Sequence, residues 1–189
     1  MIASKFILSI DRLSEALGRG LSYLSVLMVL VMAAVVLIRY GFSSNSIALQ
    51  ESVTYMHGAL FMLAASYTLK HDGHVRVDIF YCRFSATGKA WINCLGTLVF
   101  LLPICGFIFF SSLDFVTTSW AIKETSTESG GIPAVYLLKT LLPMMAILLA
   151  LQGLAEFARN LLVLMSPSAS AGAHSTLPLD SFPIDKTEC

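Results

Sequence analysis

Four long apolar stretches, separated by short polar ones, dominate the chain. They cover approximately residues 21–39, 48–69, 91–113 and 132–157. An α-helix rises ~1.5 Å per residue, so about 20 apolar residues cross the ~30 Å hydrocarbon core of a bilayer. Each stretch has about that length, and none shows the short alternating segments of a membrane β-barrel. The pattern therefore predicts an all-α protein, an integral membrane bundle of four transmembrane helices.

The segment before the first apolar stretch is amphipathic. Hydrophobic residues recur at helical spacing over residues 4–17, and most charged residues occupy the other positions. Residues 1–20 are therefore predicted to form either a helix in the inner membrane interface that turns at Gly18–Gly20, or a cytoplasmic extension of the first helix. The first apolar stretch is too long for a signal peptide and no small-residue cleavage site follows it, so we expect a retained anchor.

The end of the chain has a different composition. Residues 163–189 are rich in Ser, Ala and Pro and show no hydrophobic periodicity. Such a segment buries too little apolar surface to fold, so we expect a disordered cytoplasmic tail. The transmembrane domain is accordingly predicted to span residues 21–162.

The distribution of basic residues predicts the orientation of the helices. The formal net charge is zero, which argues against a nucleic-acid partner. With a cytoplasmic N-terminus, only three of the 12 Lys and Arg residues lie outside, namely Arg39, Lys123 and Lys139. The others lie inside: Lys5, Arg12, Arg19, Lys70, Arg76, Arg83, Lys89, Arg159 and Lys186. The positive-inside rule therefore predicts that both termini are cytoplasmic.

No arrangement of residues predicts catalysis or a cofactor. His71 and His74 lie three residues apart beside Asp72, a spacing that a metal can use, but Gly73 between them favours a turn. A haem held between helices needs facing histidines, and the first, third and fourth apolar stretches have none. The chain also lacks a G-x-S-x-G elbow, an H-E-x-x-H motif and a phosphate-binding glycine loop. We therefore expect no enzyme activity, no cofactor and no metal site.

Charged residues inside the apolar stretches lie near the ends of those stretches. Glu51, Asp114 and Glu156 are each close enough to a membrane surface to be solvated. The chain thus lacks the mid-bilayer carboxylate expected of a self-sufficient ion-coupled carrier. Arg39 and Glu51 stand at facing ends of the first two helices, where they form either a salt bridge or two separate headgroup contacts.

The fourth stretch carries a strip of small residues. Ala146, Ala150 and Gly153 follow one another at helical spacing on one face. Small residues let helices approach closely in a membrane. The strip is therefore a candidate contact, either inside the chain or with a partner subunit.

Several short motifs occur in a characteristic order. Arg39-Tyr40 ends the first stretch, Gln50-Glu51 opens the second, and the fourth contains Pro143 and Leu151-Gln152. The most specific motif, His74-Val75-Arg76-Val77-Asp78, follows the second stretch. Together they resemble the small membrane subunit of tripartite ATP-independent periplasmic (TRAP) transporters, over approximately residues 11–162. The sequence departs from the family pattern at Ser43, where asparagine is common, and at Gln50, where a second acid is common.

The resemblance implies a non-catalytic subunit of the bacterial inner membrane. Its partners would be a large membrane subunit, which carries the substrate and sodium sites, and a periplasmic binding protein that captures an organic acid. The small subunit would scaffold the large membrane subunit and help dock the binding protein. Our candidate contacts for the binding protein are residues 123–131 of the second outer loop, which include Lys123, Glu124 and Glu128, together with residues 43–50.

Within this model His74, Arg76 and Asp78 would structure the inner loop between the second and third helices. We hypothesise that Arg76 and Asp78 satisfy backbone groups of the loop or of the helix ends and so fix the angle between these helices. Two other functional classes stay open. One is a self-contained homo-oligomeric carrier, and the other is a membrane redox or enzyme subunit.

Overall fold

The fold is all-helical over the residues that the computed structural model describes, which are 2–73 and 84–165. The all-α prediction is thereby confirmed for these residues. In chain order the elements are α1 (Ile2–Gly41), α2 (Ile47–Lys70), α3 (Ala86–Gly96), a π-helical segment (Thr97–Leu101), α4 (Leu102–Ile122) and α5 (Val135–Met165).

Three helical segments in the described part of the chain are long and apolar enough to cross a membrane. They are Lys5–Gly41, Thr87–Ile122, which runs from α3 through α4, and Val135–Met165. The remaining predicted span coincides with α2, which has 24 residues but is not among these three. Polar residues such as Gln50, Glu51 and His57 lower the hydropathy of α2.

Helix α1 is unbroken over 40 residues and therefore about 60 Å long. It continues through Gly18 and Gly20 without a turn. Of the two alternatives for residues 1–20, the structure therefore shows the extension of the first helix. Gly18 has a packing role, because a Cβ atom there would lie 2.2 Å from Cδ2 of Tyr67 on α2. Gly18 thus lets α1 and α2 approach closely.

Helix α5 is the centre of the fold. It packs against α1, α2, α3, α4 and the π-helical segment, whereas α1 packs against α2 and α4 packs chiefly against α5. A Cβ atom on Gly153 would lie 2.2 Å from Cδ2 of Leu101, and Ala146 is buried. The predicted strip of small residues therefore serves contacts inside the chain, with Ala150 half-buried.

Candidate functional site

Two polar clusters lie at opposite ends of the helices, and we call these ends outer and inner after the predicted orientation. At the outer end Ser46 caps α2, where its hydroxyl oxygen accepts from the backbone N–H of Leu49. The first turns of α2 then direct Glu51 at the loop between α4 and α5. Glu51 Oε2 accepts from the N–H of Ile132 at 2.6 Å, and its other oxygen accepts from the Ser126 hydroxyl. The carboxylate therefore ties this loop to α2.

The same loop is closed by its own backbone. The Ser126 N–H donates to the carbonyl of Ile132 at 3.3 Å, and Ser126 Oγ accepts from the Glu128 N–H at 3.1 Å. A Cβ atom on Gly131 would lie 2.4 Å from Ser126 Oγ and 2.7 Å from Glu51 Oε1. Glycine is thus required for the close approach of loop and carboxylate.

An ion pair attaches the start of the loop to α5. Lys139 Nζ lies 2.5 Å from Glu124 Oε2 and 3.9 Å from the centre of the Phe115 ring. The Val135 N–H donates to the Glu124 carbonyl at 3.2 Å. The hydrogen bond from Lys139 holds the pKa of Glu124 below its ordinary value. We call Glu51, Ser126, Ile132 and this ion pair the outer cluster.

Aromatic side chains mark the depth of the outer cluster. Trp120 Nε1–H donates to Thr140 Oγ1 at 2.9 Å, and the Trp120 and Tyr136 ring centres are 4.6 Å apart. The ammonium of Lys123 lies 4.6 Å from the centre of the Trp120 ring. Trp and Tyr with a nearby lysine are typical of the headgroup region of a membrane.

The outer residues singled out from the sequence have different environments. Lys123 and Glu128 are exposed, whereas Glu124 is partly buried by its pairing with Lys139. Arg39 is exposed and makes no salt bridge to Glu51, whose partners are in the loop. The described residues therefore contain no Arg39–Glu51 salt bridge, which was one of the two arrangements predicted for these side chains. Tyr40 is also exposed, and Gln50 Nε2 donates to Asn45 Oδ1 at 3.2 Å.

The inner cluster joins α1 to α5 through buried polar side chains. The Ser14 hydroxyl donates to Gln152 Oε1 at 2.7 Å, and Gln152 Nε2 donates to Asp11 Oδ1 at 3.1 Å. Arg159 Nη2 donates to Asp11 Oδ2 at 2.8 Å, and Arg159 also pairs with Glu156. Gln152 is 0% exposed and Ser14 is 2% exposed. Each buried polar atom of this pair thus has a partner, as stability requires.

A second set of contacts joins α1 to α2 at the same end. Lys70 Nζ donates to Glu15 Oε2 at 2.7 Å and to the carbonyl of Asp11 at 3.2 Å. Nε2 of His71 lies 3.1 Å from the same Glu15 oxygen. We include these residues in the inner cluster, which therefore links α1, α2 and α5.

The distance between the two clusters matches a bilayer. Along α2, 19 residues separate Glu51 from Lys70, and along α5, 20 residues separate Lys139 from Arg159. At ~1.5 Å per residue these separations are about 28 and 30 Å, close to the ~30 Å of a hydrocarbon core. The polar clusters are spaced as if each faced one membrane surface.

An open groove lies between α1 and α2. It has a volume of about 400 Å3 and is lined by Met28, Val29, Met32, Val53, Thr54 and His57. His57 is exposed and stacks on Phe61 with ring centres 6.4 Å apart. The described residues contain no group of three or more His, Cys, Asp or Glu side chains suited to a metal.

His74, Arg76 and Asp78, which carry the most specific motif, lie outside the described residues. Their role in the inner loop stays a prediction. Sequence reasoning also missed the pairings of Asp11, Ser14 and Lys70, because each partner is distant in the chain. The available signal was Gln152, a single amide within an apolar stretch, since such a group needs a partner.

Comparison with known families places the chain in a family of transporter components. The model described as "Tripartite ATP-independent periplasmic transporters, DctQ component" matches residues 28–163, which is more than half of the chain. The match includes the outer cluster but begins after Asp11, Ser14 and Glu15 of the inner cluster. The comparisons with curated proteins and with solved structures found no match.

Proposed function

The chain belongs to the DctQ component family of TRAP transporters and is a small membrane subunit of such a system, and from this premise we propose that it is a non-catalytic scaffold. In this role it supports the large membrane subunit and helps dock a periplasmic solute-binding protein. The transported solute is of the organic-acid type, and uptake is coupled to sodium. The family match carries this proposal, with the outer cluster as the structural feature that supports docking.

We further propose that the chain crosses the bacterial inner membrane four times, with both termini in the cytoplasm. The spacing of the two clusters supports α2 as the fourth span, because α2 reaches from Glu51 in one cluster to Lys70 in the other. The loop that includes Lys123 and Glu128 then faces the periplasm. The basic residues Arg12 and Arg19 on α1 fall on the cytoplasmic side, as the positive-inside rule expects.

The outer cluster supports a docking role because it holds the loop in one conformation. Glu51 and the Glu124–Lys139 pair bond the loop to α2 and α5, and Gly131 leaves room for the close approach of the loop and Glu51. A preorganised surface loses less conformational entropy on binding than a flexible loop. Lys123 and Glu128 remain exposed on this fixed loop and are available to a soluble partner.

Neutralising those two residues tests the docking role. In proteoliposomes with the complete transporter, we expect the Lys123→Gln/Glu128→Gln variant to need more binding protein for half-maximal uptake. Rim charges mainly change association rates, so the effect should shrink as the salt concentration rises. Lys5→Gln is the matched control, because Lys5 is also exposed but lies at the opposite end. An unchanged requirement for binding protein in the double variant would reject docking through this loop.

Purification of the tagged chain from cells that express all three components tests the scaffold role. We expect the large membrane subunit to co-purify in a fixed ratio. Recovery of the chain only with copies of itself would instead support the homo-oligomeric carrier.

A further inference from the structure

A polar stripe runs along the outward face of α4. Ser111, Asp114 and Thr118 follow one another at intervals of three and four residues, so they lie on one face of the helix, and all three are exposed. Within the described residues none of their side chains has a hydrogen bond or an ion pair. The neighbouring Phe107 and Phe110 are 73% and 72% exposed. We call this surface the Asp114 face.

The Asp114 face lies below the membrane surface that Trp120 marks. Asp114 precedes Trp120 by six residues and Ser111 precedes it by nine, which places them about 9 and 13 Å deeper along the helix. Cα–Cβ bonds tilt towards the N-terminus of a helix, and the N-terminus of α4 is on the inner side. The short carboxylate is therefore directed towards the inner side of the helix, away from the outer headgroups.

The position of Asp114 near the end of the third apolar stretch predicts that it is solvated at the membrane surface, but a carboxylate at this depth that points inwards requires a partner of opposite charge or a strong donor. Ionisable residues inside membranes are costly and pair with other groups, and they seldom face lipid. Because α4 packs chiefly against α5, its outward face is open. A second copy of this chain has no Lys or Arg at residues 20–38, 40–69, 90–122 or 140–158, and its Arg39 lies in the last turn of α1, at the outer end, so it offers no cation at the depth of Asp114.

We propose that the Asp114 face docks onto a transmembrane helix of the large subunit that carries an Arg or Lys at the depth of Asp114. The cation pairs with the Asp114 carboxylate, and the hydroxyls of Ser111 and Thr118 hydrogen-bond to polar groups of the same helix. Phe107 and Phe110 supply the apolar contact around this pair. The inference rests on the proposed function, because it assigns a face to the contact between the two membrane subunits.

Crosslinking tests the location of the contact. A photo-crosslinking amino acid is placed at Ser111 or Thr118 of the tagged chain, in cells that express the complete transporter. We expect a covalent product with the large subunit from both positions. A product with a second copy of this chain, or with lipid alone, would overturn the inference.

Charge substitutions test the chemistry. We expect Asp114→Asn to weaken association with the large subunit about tenfold, since charge-assisted hydrogen bonds are roughly twice as strong as neutral ones. Asp114→Lys should abolish association, because it opposes like charges. The melting temperature of each isolated variant should equal that of the parent chain, because Asp114 has no partner within the described part of it. This control separates lost assembly from lost folding.

The outcomes distinguish this inference from the proposed function. If the unmodified chain co-purifies with the large subunit and both Asp114 variants do so equally well, the inference is wrong and the scaffold role stands. If the unmodified chain fails to co-purify, the proposed function itself fails.

Discussion

Replacing Gln152 with methionine tests whether the inner cluster holds α1 and α5 together. Methionine has a similar length and shape but neither donates nor accepts a strong hydrogen bond. The variant therefore removes the bond from the Ser14 hydroxyl and the bond to Asp11 without opening a large cavity. Asp11 keeps its ion pair with Arg159, so the cluster is weakened and not abolished.

The expected loss follows from the two bonds and the burial of Ser14. A hydrogen bond contributes about 0.5–1.5 kcal/mol net, and a buried hydroxyl left unpaired costs about 1–3 kcal/mol. Measured couplings inside membrane proteins are smaller, on average about 0.6 kcal/mol. We therefore expect the free energy of unfolding to fall by about 2 kcal/mol, which lowers the melting temperature by roughly 4–8 °C for a chain of this size.

The assay uses the two buried free cysteines, Cys94 and Cys105, as reporters. A thiol-reactive dye detects their exposure as the detergent-solubilised protein is heated, after Cys82 and Cys189 are replaced by serine. Gln50→Met is the matched control, because Gln50 makes only an exposed hydrogen bond to Asn45. We expect that control to change the free energy of unfolding by less than about 0.5 kcal/mol.

A double-mutant cycle with Ser14→Ala isolates the direct interaction. We expect the effects of Ser14→Ala and Gln152→Met to be less than additive, with a coupling energy of about 1 kcal/mol. Equal melting temperatures for Gln152→Met and its parent, or fully additive effects, would refute the account of this cluster as a stabilising link.

Three further predictions concern helix contacts and the outer loop. Gly18→Ala should lower the free energy of unfolding by about 1–3 kcal/mol, because the added methyl group meets the Tyr67 ring. Gly20→Ala should raise it by about 0.5–1 kcal/mol, because no atom lies within 4 Å of the added methyl group. Thermal melts of the two variants measure both effects. The hydrogen bond from Lys139 lowers the pKa of Glu124. The ion pair should therefore protect the loop amides from hydrogen exchange fully above the ordinary carboxylate pKa, and this protection should decline as the pH falls through the lowered pKa. Glu124→Gln should remove this pH dependence of hydrogen exchange. Glu51→Gln should speed proteolysis of residues 123–134 and leave the melting temperature nearly unchanged; equal cleavage rates would contradict the role of Glu51 in holding the loop.

Much of the architecture follows from local pattern. The apolar stretches predict helices because lipid offers no partners for backbone N–H and C=O groups, which must then bond within the helix. Three of these stretches recur as long apolar helices, and the second coincides with α2. The His74–Asp78 motif, in order with the motifs around Arg39, Gln50 and Gln152, predicted the family that the comparison identified.

The pairing of polar side chains does not follow from local pattern. Ser14 and Gln152 are 138 residues apart, and Glu51 and Ile132 are 81 apart, so their contacts depend on how the helices are rotated and tilted. Apolar periodicity leaves this rotation undetermined in a membrane, because faces towards lipid and faces towards protein are equally apolar.

The sequence alone thus determined the all-helical class, the apolar stretches and the family of this protein. Only the tertiary structure decided that the partner of Glu51 is the outer loop instead of Arg39. It also decided that Gly153 packs inside the chain and that Asp114 faces outwards. The reason is physical: hydrophobicity selects which segments enter lipid, whereas close packing and hydrogen bonding between distant residues select how those segments are arranged.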